Sequence, residues 1–396
     1  MRHLLLIVSG SIAAYKAADL AHKFKKAGIC VHVIMTRNAA NFINPVTFDT
    51  LTGNRCITDT FDRNHEFNVE HVSLAAEADL VMVAPASADI IGKMANGIAD
   101  DMATTTIMAC QCPILLAPAM NTRMYKNPIV QANIKKLETF GVHEIRPTSG
   151  MLACGDVGEG KLPDVERLFD EAMLYLASEK DLKGKRVLVT AGPTEEAIDP
   201  VRFITNHSTG RMGYETARAA ARRGADVTLI SGPANLMIPS GIKFVPVTSA
   251  SEMADECISR IDDTDIFVMT AAVADYTPVN KADQKIKKNS DHMTLELERT
   301  RDILKFLCAN RRSGKKQFIT GFAMETENLL DNARKKLIEK GADLICANSI
   351  RDIGAGFGNE TNKVTLISRN QEEELPLMTK LEVADRIFDK AIAKER

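Results

Sequence analysis

The sequence predicts an α/β protein with two doubly wound, Rossmann-like domains. Short apolar runs alternate with helix-like segments, which is typical of parallel sheets that helices cover on both faces. An apolar strand runs into a small-residue turn and then a helix twice, at 3–20 and at 186–224. The chain has 396 residues, and at roughly 150 residues per domain this length indicates more than one hydrophobic core.

The first half begins with the strand LLLIV, followed by a helix that ends at Lys26 with Gly28 behind it as a C-cap. Further apolar runs then predict the other strands of a parallel sheet. These are CVHVIMT at 30–36, LVMVA at 80–84 and PILLAP at 113–118.

The second half repeats this order with strands predicted at 186–190, 226–231, 265–270, 317–320 and 342–348. Its first strand is separated from the next helix by an insertion, PTEEAIDPVRFITNHSTG, and a long insertion at the carboxyl end of a strand is more often functional than idle. An amphipathic helix at 165–180 and a short polar connector precede this half. We therefore expect domains at 1–185 and 186–396.

Composition and charge narrow the possible partners. A net charge of −2 provides no broad positive field for nucleic acid. The apolar run at the start meets a Gly/Ser turn too early for a signal peptide or a membrane span. The cysteines form no paired zinc pattern. These features predict a cytoplasmic protein without a nucleic-acid or membrane partner.

The turn after the first strand, SGSIAAYK, indicates a phosphate site formed by Ser9, Gly10 and Ser11. Its alternative is an ordinary N-capped helix start. Thr36 and Ser87 follow the second and third strands, and polar turns at neighbouring strand ends favour a ligand crevice.

Three other residues of the first half are candidates for chemistry. Asn121, in PAMN, follows an apolar strand and could hold a carboxylate, although a turn-forming Asn is as good an explanation. His71 could be a base or an anchor, but an isolated His is more often structural. Cys154 lies in the glycine-rich segment 149–160, which predicts a lid-type loop that presents a thiol for proton transfer, or a mobile loop with an incidental Cys.

In the second half, a segment rich in small polar residues comes directly before a predicted helix. It contains Arg202, Asn206, Ser208 and Gly210. This pattern suits a triphosphate better than a simple N-cap. Asp275 follows a later strand, and Lys285 begins a lysine cluster. A carboxylate near lysines suits phosphoryl or nucleotidyl transfer, whereas a lone lysine run is usually a solvated face.

These motifs resemble two known enzyme families in a fixed order. SGSIAAYK, His71, PAMN and ACGDVGEG are similar to the flavin-containing cysteine decarboxylases, specifically phosphopantothenoylcysteine decarboxylase. TAGPTEEAIDPVRFITNHSTGRMG, AAVADY, KIKK, GFAMET and DLICANS are similar to phosphopantothenate–cysteine ligase. The order matches the fused bacterial bifunctional family of coenzyme A biosynthesis. The resemblance implies a flavodoxin-like flavoprotein fold and then a ligase fold with a parallel-rich sheet.

For the ligase half, the resemblance implies that 4'-phosphopantothenate attacks CTP, that pyrophosphate leaves, and that cysteine displaces CMP from an acyl-cytidylate. Asn206 would hold the acyl-cytidylate, Lys285 would neutralise charge at the phosphate, and Arg202 would assist. Mg²⁺ would accompany the triphosphate, with Asp275 as a metal ligand. Nucleotide-contacting positions carried over from the family are Ser208, Gly210, Ala271, Asp275, Arg301, Asp302, Ile303, Leu304, Phe322, Lys336 and Lys340.

For the decarboxylase half, the resemblance implies FMN bound by Ser9, Gly10, Ser11, Thr36 and Ser87. His71 and Asn121 would act on and bind the substrate carboxylate, and Cys154 would supply the proton that completes 4'-phosphopantetheine. The family also implies a homo-oligomer, with trimers through the flavin domain and dimers through the ligase domain.

One departure from the family pattern is a turn that reads Ser208-Thr209-Gly210-Arg211 where Ser-Ser-Gly-Lys is usual. Thr keeps the hydroxyl and Arg keeps the charge, so we expect function to be retained. Two other classes remain as alternatives: a flavin-binding regulatory or scaffold protein, and an electron-transfer flavoprotein. The joint presence of His71, Asn121 and Cys154 argues against the first, and the ligase-like half argues against the second.

Overall fold

The structure is a computed structural model that describes residues 1–60, 70–151, 155, 157–177, 180–287, 292–312, 316–325, 328–349 and 358–395. The chain folds into two compact units, Met1–Ser178 and Glu179–Arg396. Within the described residues, none of the helices combines the length and the apolar character that a membrane crossing requires.

The first unit alternates strands and helices. Its strands are β1 (His3–Val8), β2 (Cys30–Met35), β3 (Leu80–Ala86), β4 (Ile114–Pro118), β5 (Val142–Glu144), β6 (Thr148–Met151) and β7 (Val157–Lys161). Its helices are α1 (Ala14–Lys26), α2 (Pro45–Thr52), α3 (Glu70–Glu77), α4 (Ala88–Asn96), α5 (Met102–Ala109), α6 (Thr122–Tyr125), α7 (Pro128–Thr139) and α8 (Val165–Leu176).

The main sheet of the first unit is parallel and has the order β2-β1-β3-β4-β5. Apolar side chains of β1 alternate between two cores: Leu4 and Leu6 pack in one, and Leu5 and Ile7 pack in the other. Continuous apolar strands are explained by this burial on both faces. The strand order is that of flavodoxin-like folds, which confirms the predicted fold class for this half.

The polar connector between the halves belongs structurally to the second unit. The backbone N–H of Leu182 donates to the carbonyl of Arg223, and Leu182 is fully buried. The Arg223 guanidinium donates to both carboxylate oxygens of Asp181, at 2.9 and 2.6 Å. Residues 181–185, which the sequence analysis assigns to the first domain, therefore pack against the second.

The second unit has more strands than helices. Its strands are β8 (Arg186–Ala191), β9 (Glu195–Ala197), β10 (Phe203–Thr205), β11 (Asp226–Ser231), β12 (Ile242–Pro246), β13 (Ile266–Met269), β14 (Tyr276–Pro278), β15 (Leu297–Arg299), β16 (Phe318–Glu325), β17 (Leu344–Ser349), β18 (Thr361–Asn362), β19 (Thr365–Ile367), β20 (Glu372–Glu374) and β21 (Met378–Thr379). Its helices are α9 (Arg211–Arg222), α10 (Ala250–Ile258), α11 (Ile303–Ala309), α12 (Leu329–Lys340) and α13 (Lys380–Glu395).

The large sheet of the second unit has the order β12-β11-β8-β13-β16-β17-β19-β20. Pairing is parallel from β12 to β17 and antiparallel beyond it. The parallel part has the Rossmann order, in which β8, the first strand of this unit in the chain, lies between β11 and β13. The predicted doubly wound, parallel-rich fold is confirmed for this half as well.

Candidate active sites

The first unit has a cavity of about 720 Å³ at the carboxyl ends of β1, β3 and β4. The chain order of the sheet reverses between β1 and β3, and ligands of open α/β sheets bind at such a switch point. Predicted residues that line this cavity are Gly10, Ser11, Ser87 and Asn121.

Close approach of the backbone explains Gly10. A Cβ on this residue would lie 2.6 Å from the Cβ of Asn38, so a side chain would displace the neighbouring loop. Ser11 Oγ donates to the carbonyl of Ala119 at 3.2 Å, and the Ser87 hydroxyl accepts from the backbone N–H of Ile90 as the N-cap of α4. These turns are thereby fixed around the cavity.

Ser9 and Thr36 belong to the turns beside this cavity, but their side chains are buried. Ser9 is buried, and its hydroxyl donates to the carbonyl of Pro85 at 2.7 Å and accepts from the N–H of Ser87 at 2.8 Å. Thr36 is buried as well, and its hydroxyl accepts from the N–H of Ala39. Both hydroxyls hold the turns together, and neither residue is part of the cavity lining.

Asn121 is the N-cap of α6, and its side chain accepts from the N–H of Arg123 at 2.8 Å. The strands β6 and β7 form an antiparallel hairpin that meets this turn, because the N–H of Met120 donates to the carbonyl of Gly160. Gly160 has a φ of +133°, and a Cβ there would lie 2.3 Å from the carbonyl oxygen of Met120. The glycine-rich segment, predicted as a loop, is therefore a hairpin in its described parts.

His71 and Cys154 are not placed together by the described residues. His71 is half-buried in the first turn of α3 and does not line the cavity. Cys154 lies outside the described residues. Met151, at the end of β6, does line the cavity, so the described part of the β6–β7 hairpin borders it.

The apolar wall of this cavity was not predicted from the sequence. Large side chains supply it: Ile12, Tyr15, Phe42, Met120, Met124 and Met151. Several of them are strongly exposed, including Ile12 and Tyr15 at 60% and 62%. Exposed apolar residues just after a phosphate-type turn were the signal that could have predicted this wall.

The second unit has two adjoining cavities, of about 480 and 260 Å³, at the carboxyl ends of β8, β13 and β16. The switch point of this sheet lies between β8 and β13. The predicted residues that line the larger cavity are Ala271, Asp275, Arg301, Asp302, Ile303, Leu304, Phe322, Lys336 and Lys340. Ser208 and Gly210 line the smaller cavity, and Ala271, Asp275, Phe322 and Lys336 line both.

Cations of α12 define one wall of the larger cavity. Lys336 Nζ donates to the carbonyl of Phe322 at 2.7 Å. Lys340 forms an ion pair with Asp302, whose other oxygen accepts from the N–H of Lys305 at the start of α11. Burial alone would raise the pKa of Asp302, but these hydrogen bonds and the charges of Lys340 and Lys336 lower it overall. Asp302 is thus an ionised anchor for Lys340.

Asn206 stands beside the switch point and outside the cavity lining. Its Nδ2 donates to the carbonyls of Ala272 and Val273, at 3.1 and 3.2 Å. The inserted segment therefore holds the loop after β13 that both cavities share.

The inserted segment also contacts the segment that carries Lys285, and Arg202 makes this contact. Arg202 Nη2 donates to the carbonyl of Ile286 at 2.6 Å and pairs with the buried carboxylate of Asp199 at 3.0 Å. Asp199 also accepts from the N–H of Ile286. Lys285 is exposed next to this anchor and does not line either cavity.

The smaller cavity also has polar lining residues that were not predicted as site residues, namely Asn348, Asn362 and Lys380. Lys380 begins α13, is 3% exposed, and donates to the carbonyl of Asn359 at 2.6 Å. Burial, together with the positive charge of Arg211, lowers the pKa of Lys380 to about 8, although Glu215 opposes the shift. A lone lysine at this position carries no sequence signal for a binding site.

Comparison with known proteins identifies both halves. Residues 1–174 match the family model described as Flavoprotein, and residues 182–394 match the one described as DNA/pantothenate metabolism flavoprotein C-terminal domain. The Coenzyme A biosynthesis bifunctional protein CoaBC of Bacillus subtilis (strain 168) is 49% identical over 396 residues, which cover 99% of this chain and 97% of that protein. The chain belongs to the CoaBC family.

A second full-length relative shows the same coverage as the Bacillus subtilis protein. The CoaBC protein of Escherichia coli (strain K12) is 38% identical over 99% of this chain and 97% of its own length. A crystal structure of the C-terminal domain of CoaBC is 43% identical, with a TM-score of 0.46, and covers 55% of this chain and 98% of that domain. The predicted family is confirmed, and the chain is a bifunctional coenzyme A biosynthesis enzyme with a flavoprotein domain.

Proposed function

We propose that the second unit joins cysteine to 4'-phosphopantothenate with CTP, and that the first unit decarboxylates the product with FMN. One observation carries this proposal: in each unit, motif residues of the corresponding enzyme line a cavity at the switch point of the sheet. A protein that used these folds only to bind ligands would not need the motif residues of both enzymes.

The proposed ligation begins when the carboxylate of 4'-phosphopantothenate attacks the α-phosphate of CTP. Pyrophosphate leaves and an acyl-cytidylate remains, because a free carboxylate is a poor electrophile and a mixed anhydride has a good leaving group. The cysteine amine then displaces CMP and forms the amide. Each step moves negative charge among phosphate oxygens, and fixed cations stabilise such charge.

Cations and helix geometry of the second unit support a triphosphate site. Lys336 stands where the two cavities meet, and Arg211 and Lys380 lie in the smaller one. Ser208 and Gly210 lead into α9, whose N-terminal N–H groups favour anions. We assign the triphosphate to the smaller cavity and the nucleoside to the larger one.

The remaining ligase residues are assigned by family resemblance and position. Asn206 would hold the acyl-cytidylate beside the loop after β13. Arg202 anchors the segment that carries Lys285, from which Lys285 would reach the phosphates. Asp275 is an exposed carboxylate on the wall that both cavities share, which suits a Mg²⁺ ion that accompanies the triphosphate.

The first unit fits FMN by shape and polarity. The Gly10 turn lines the cavity and packs closely against Asn38, and the apolar wall of the cavity suits a flat aromatic ring. Ser11 and Ser87 would bind the phosphate side, while Ser9 and Thr36 would fix the turns. When bound, FMN supplies reversible oxidation of the substrate thiol, which lets CO₂ leave without a localised carbanion.

The chain's own residues would bind the substrate and transfer a proton. Asn121 would hold the substrate carboxylate with its amide. Cys154, on the segment joined to the hairpin, would donate the final proton. We propose that His71 acts in a complete site only after subunits assemble, because it lies outside the lining of this cavity.

We propose a homo-oligomer with trimers of the first unit and dimers of the second, which sedimentation equilibrium tests directly. Exposed apolar side chains support it, among them Val72 and Met108 in the first unit and Val279 and Met293 in the second. We also propose a cytoplasmic site of action, which the free thiols of the described cysteines support.

The deciding experiment incubates the purified full-length protein with phosphopantothenate, cysteine, CTP and Mg²⁺. We expect pyrophosphate, CO₂ and 4'-phosphopantetheine. Omission of CTP, and its replacement by ATP or UTP, are the controls for nucleotide use. Absence of both pyrophosphate and CO₂ would overturn the proposal, and a visible spectrum without a flavin would overturn its first half.

A further inference from the structure

A cluster of two histidines and one cysteine lies at the amino ends of β1 and β2. In the parallel register His3 pairs with Cys30 and Leu5 pairs with His32. Residues 30 and 32 point to the same face of the strand, so the register brings all three side chains together. One ligand atom from each of His3, Cys30 and His32 lies within 4.8 Å of the others.

The three side chains of the cluster contact one another closely. Cys30 Sγ lies 3.5 Å from His32 Nε2. The two imidazole rings are stacked, with centroids 5.9 Å apart and planes inclined by 8°. His3 Nδ1 is buried and has no hydrogen-bond partner among the described residues. A buried ring nitrogen without a partner is unfavourable, and nothing else in the described fold accounts for it.

We propose that His3, Cys30 and His32 bind one Zn²⁺ ion. A thiolate and two imidazoles match the ligands that zinc takes in proteins, and a water molecule would complete a tetrahedral site. Hard ions such as Mg²⁺ and Ca²⁺ prefer oxygen ligands and would be excluded. The site is therefore distinct in chemistry from the nucleotide-linked Mg²⁺ site.

Neighbouring groups fix the cysteine and the end of the first strand. Asn54 Nδ2 donates to the carbonyl of Val31 at 2.8 Å and lies 3.7 Å from Cys30 Sγ. An N–H directed at the sulfur stabilises a thiolate and orients it toward a metal. The backbone N–H of His3 donates to Asp79 Oδ2 at 2.8 Å. These hydrogen bonds fix the backbone of both strands next to the proposed ligands.

The position of the cluster separates it from the proposed reaction. The strand β1 has six residues, and at about 3.3 Å per residue it separates His3 from the Ser9–Ser11 turn by roughly 20 Å. A metal at this end would join the two strands and would not contact the reaction. An ion that binds the folded state alone raises its thermal stability.

The test uses the full-length flavin-loaded protein after treatment with a chelator and its removal by gel filtration. Co²⁺ is added as a spectroscopic probe, and Zn²⁺ affinity is then measured by competition with a chromogenic chelator. We expect a thiolate-to-cobalt charge-transfer band, one tight Zn²⁺ equivalent, and a higher melting temperature with Zn²⁺. Cys30→Ser should abolish the band, and His32→Ala should weaken Zn²⁺ binding at least tenfold.

Cys112→Ser is the matched control, because Cys112 is another half-buried thiol of the first unit. It should retain the band and the affinity, and both cysteine variants should keep the flavin spectrum and the decarboxylation rate. The proposal is overturned if the wild-type protein shows no thiolate band. It is also overturned if the band survives Cys30→Ser and disappears with Cys112→Ser.

Discussion

At the scale of single residues, Lys380 has an unusual position for a lysine. It is buried at the start of α13, faces the smaller cavity of the second unit, and has a pKa of about 8 because of burial and the charge of Arg211. A buried cation is unfavourable unless a negative group compensates it. A bound triphosphate would add negative charge to that of Glu215 and would favour the charged form of Lys380.

We predict that CTP binding depends on the protonation of Lys380. The side chain is charged below pH 8 and neutral above it, so the affinity for CTP should fall about five- to tenfold between pH 7 and pH 9. Lys380→Met should weaken CTP binding at pH 7 by roughly tenfold, the effect of losing one charge-assisted hydrogen bond. Isothermal titration calorimetry across this pH range measures both effects.

The matched control for this prediction is Lys335→Met. Lys335 is exposed on α12, pairs with Glu339 and lines neither cavity. This variant should keep both the affinity and its pH dependence. An unchanged pH dependence in Lys380→Met would show that another group is responsible.

We predict opposite stability effects for alanine at two helical glycines. A Cβ at Gly213 would lie 2.5 Å from Ala191 Cβ and 2.6 Å from Thr270 Oγ1, whereas a Cβ at Gly92 has no neighbour closer than 3.9 Å. Gly213→Ala should therefore destabilise the second unit by about 1–3 kcal/mol through overpacking. Gly92→Ala should stabilise α4 by about 0.5–1 kcal/mol.

Scanning calorimetry of the two variants tests this pair, with CTP binding as a second measurement. Gly213→Ala should also weaken CTP binding, because α9 would move away from the sheet. A Gly213→Ala protein as stable as the wild type would contradict the contact distances on which the prediction rests.

At the scale of elements, continuously apolar strands were predicted well, whereas polar strands and partly exposed ones such as β12 were not. The run at 186–190 became β8 and the run at 30–36 became β2, because a strand buried on both faces must be continuously apolar. The hairpin β6–β7 and the pair β9–β10 contain mostly glycine, polar or charged residues. Their pairing depends on contacts with distant turns, which local sequence patterns do not show.

The hairpin β6–β7 gives a prediction about the first active site. Gly160→Ala should push the hairpin away from the Met120–Asn121 turn, because the new Cβ would lie 2.3 Å from a backbone oxygen. A displacement near 1 Å at a catalytic group lowers rates by about 100-fold. We expect CO₂ release to fall by at least tenfold while pyrophosphate release stays unchanged.

Gly150→Ala is the control in the same hairpin. Gly150 pairs with Gly158, and its nearest neighbour would be the flexible Lys161 side chain at 3.5 Å. Both activities should be retained in this variant. Equal loss of CO₂ release in both variants would mean that the hairpin tolerates no side chain and that the Met120 contact is not decisive.

At the scale of the whole molecule, the sequence predicted many residues that line the cavities but only part of the complete lining. Gly10 and Gly210 stand in small-residue motifs directly before predicted helices, so their turns were recognisable from the sequence. Lys380 and Phe42 reach the cavities through tertiary packing alone. Residue patterns could predict the small-residue turns at the strand ends, whereas the walls opposite them depend on the completed fold.

The same organisation predicts that the two activities can be separated within the full-length chain. Each unit has its own core and its own cavity. Cys154→Ser should release pyrophosphate normally but make no 4'-phosphopantetheine. Lys336→Met should lose ligation by about 100-fold or more, the effect of removing one fixed charge-stabilising group. It should still convert added phosphopantothenoylcysteine.

Mixing these two variants tests the separation. Because the ligation product is a small molecule that can diffuse, the mixture should convert phosphopantothenate, cysteine and CTP to 4'-phosphopantetheine, as measured by mass spectrometry. Lys335→Met, the neighbouring substitution on the exposed face of α12, should retain both activities without mixing. If each variant works on its own half-reaction but the mixture stays inactive, the intermediate must pass between units of one assembly without release, and separate action of the two units is wrong.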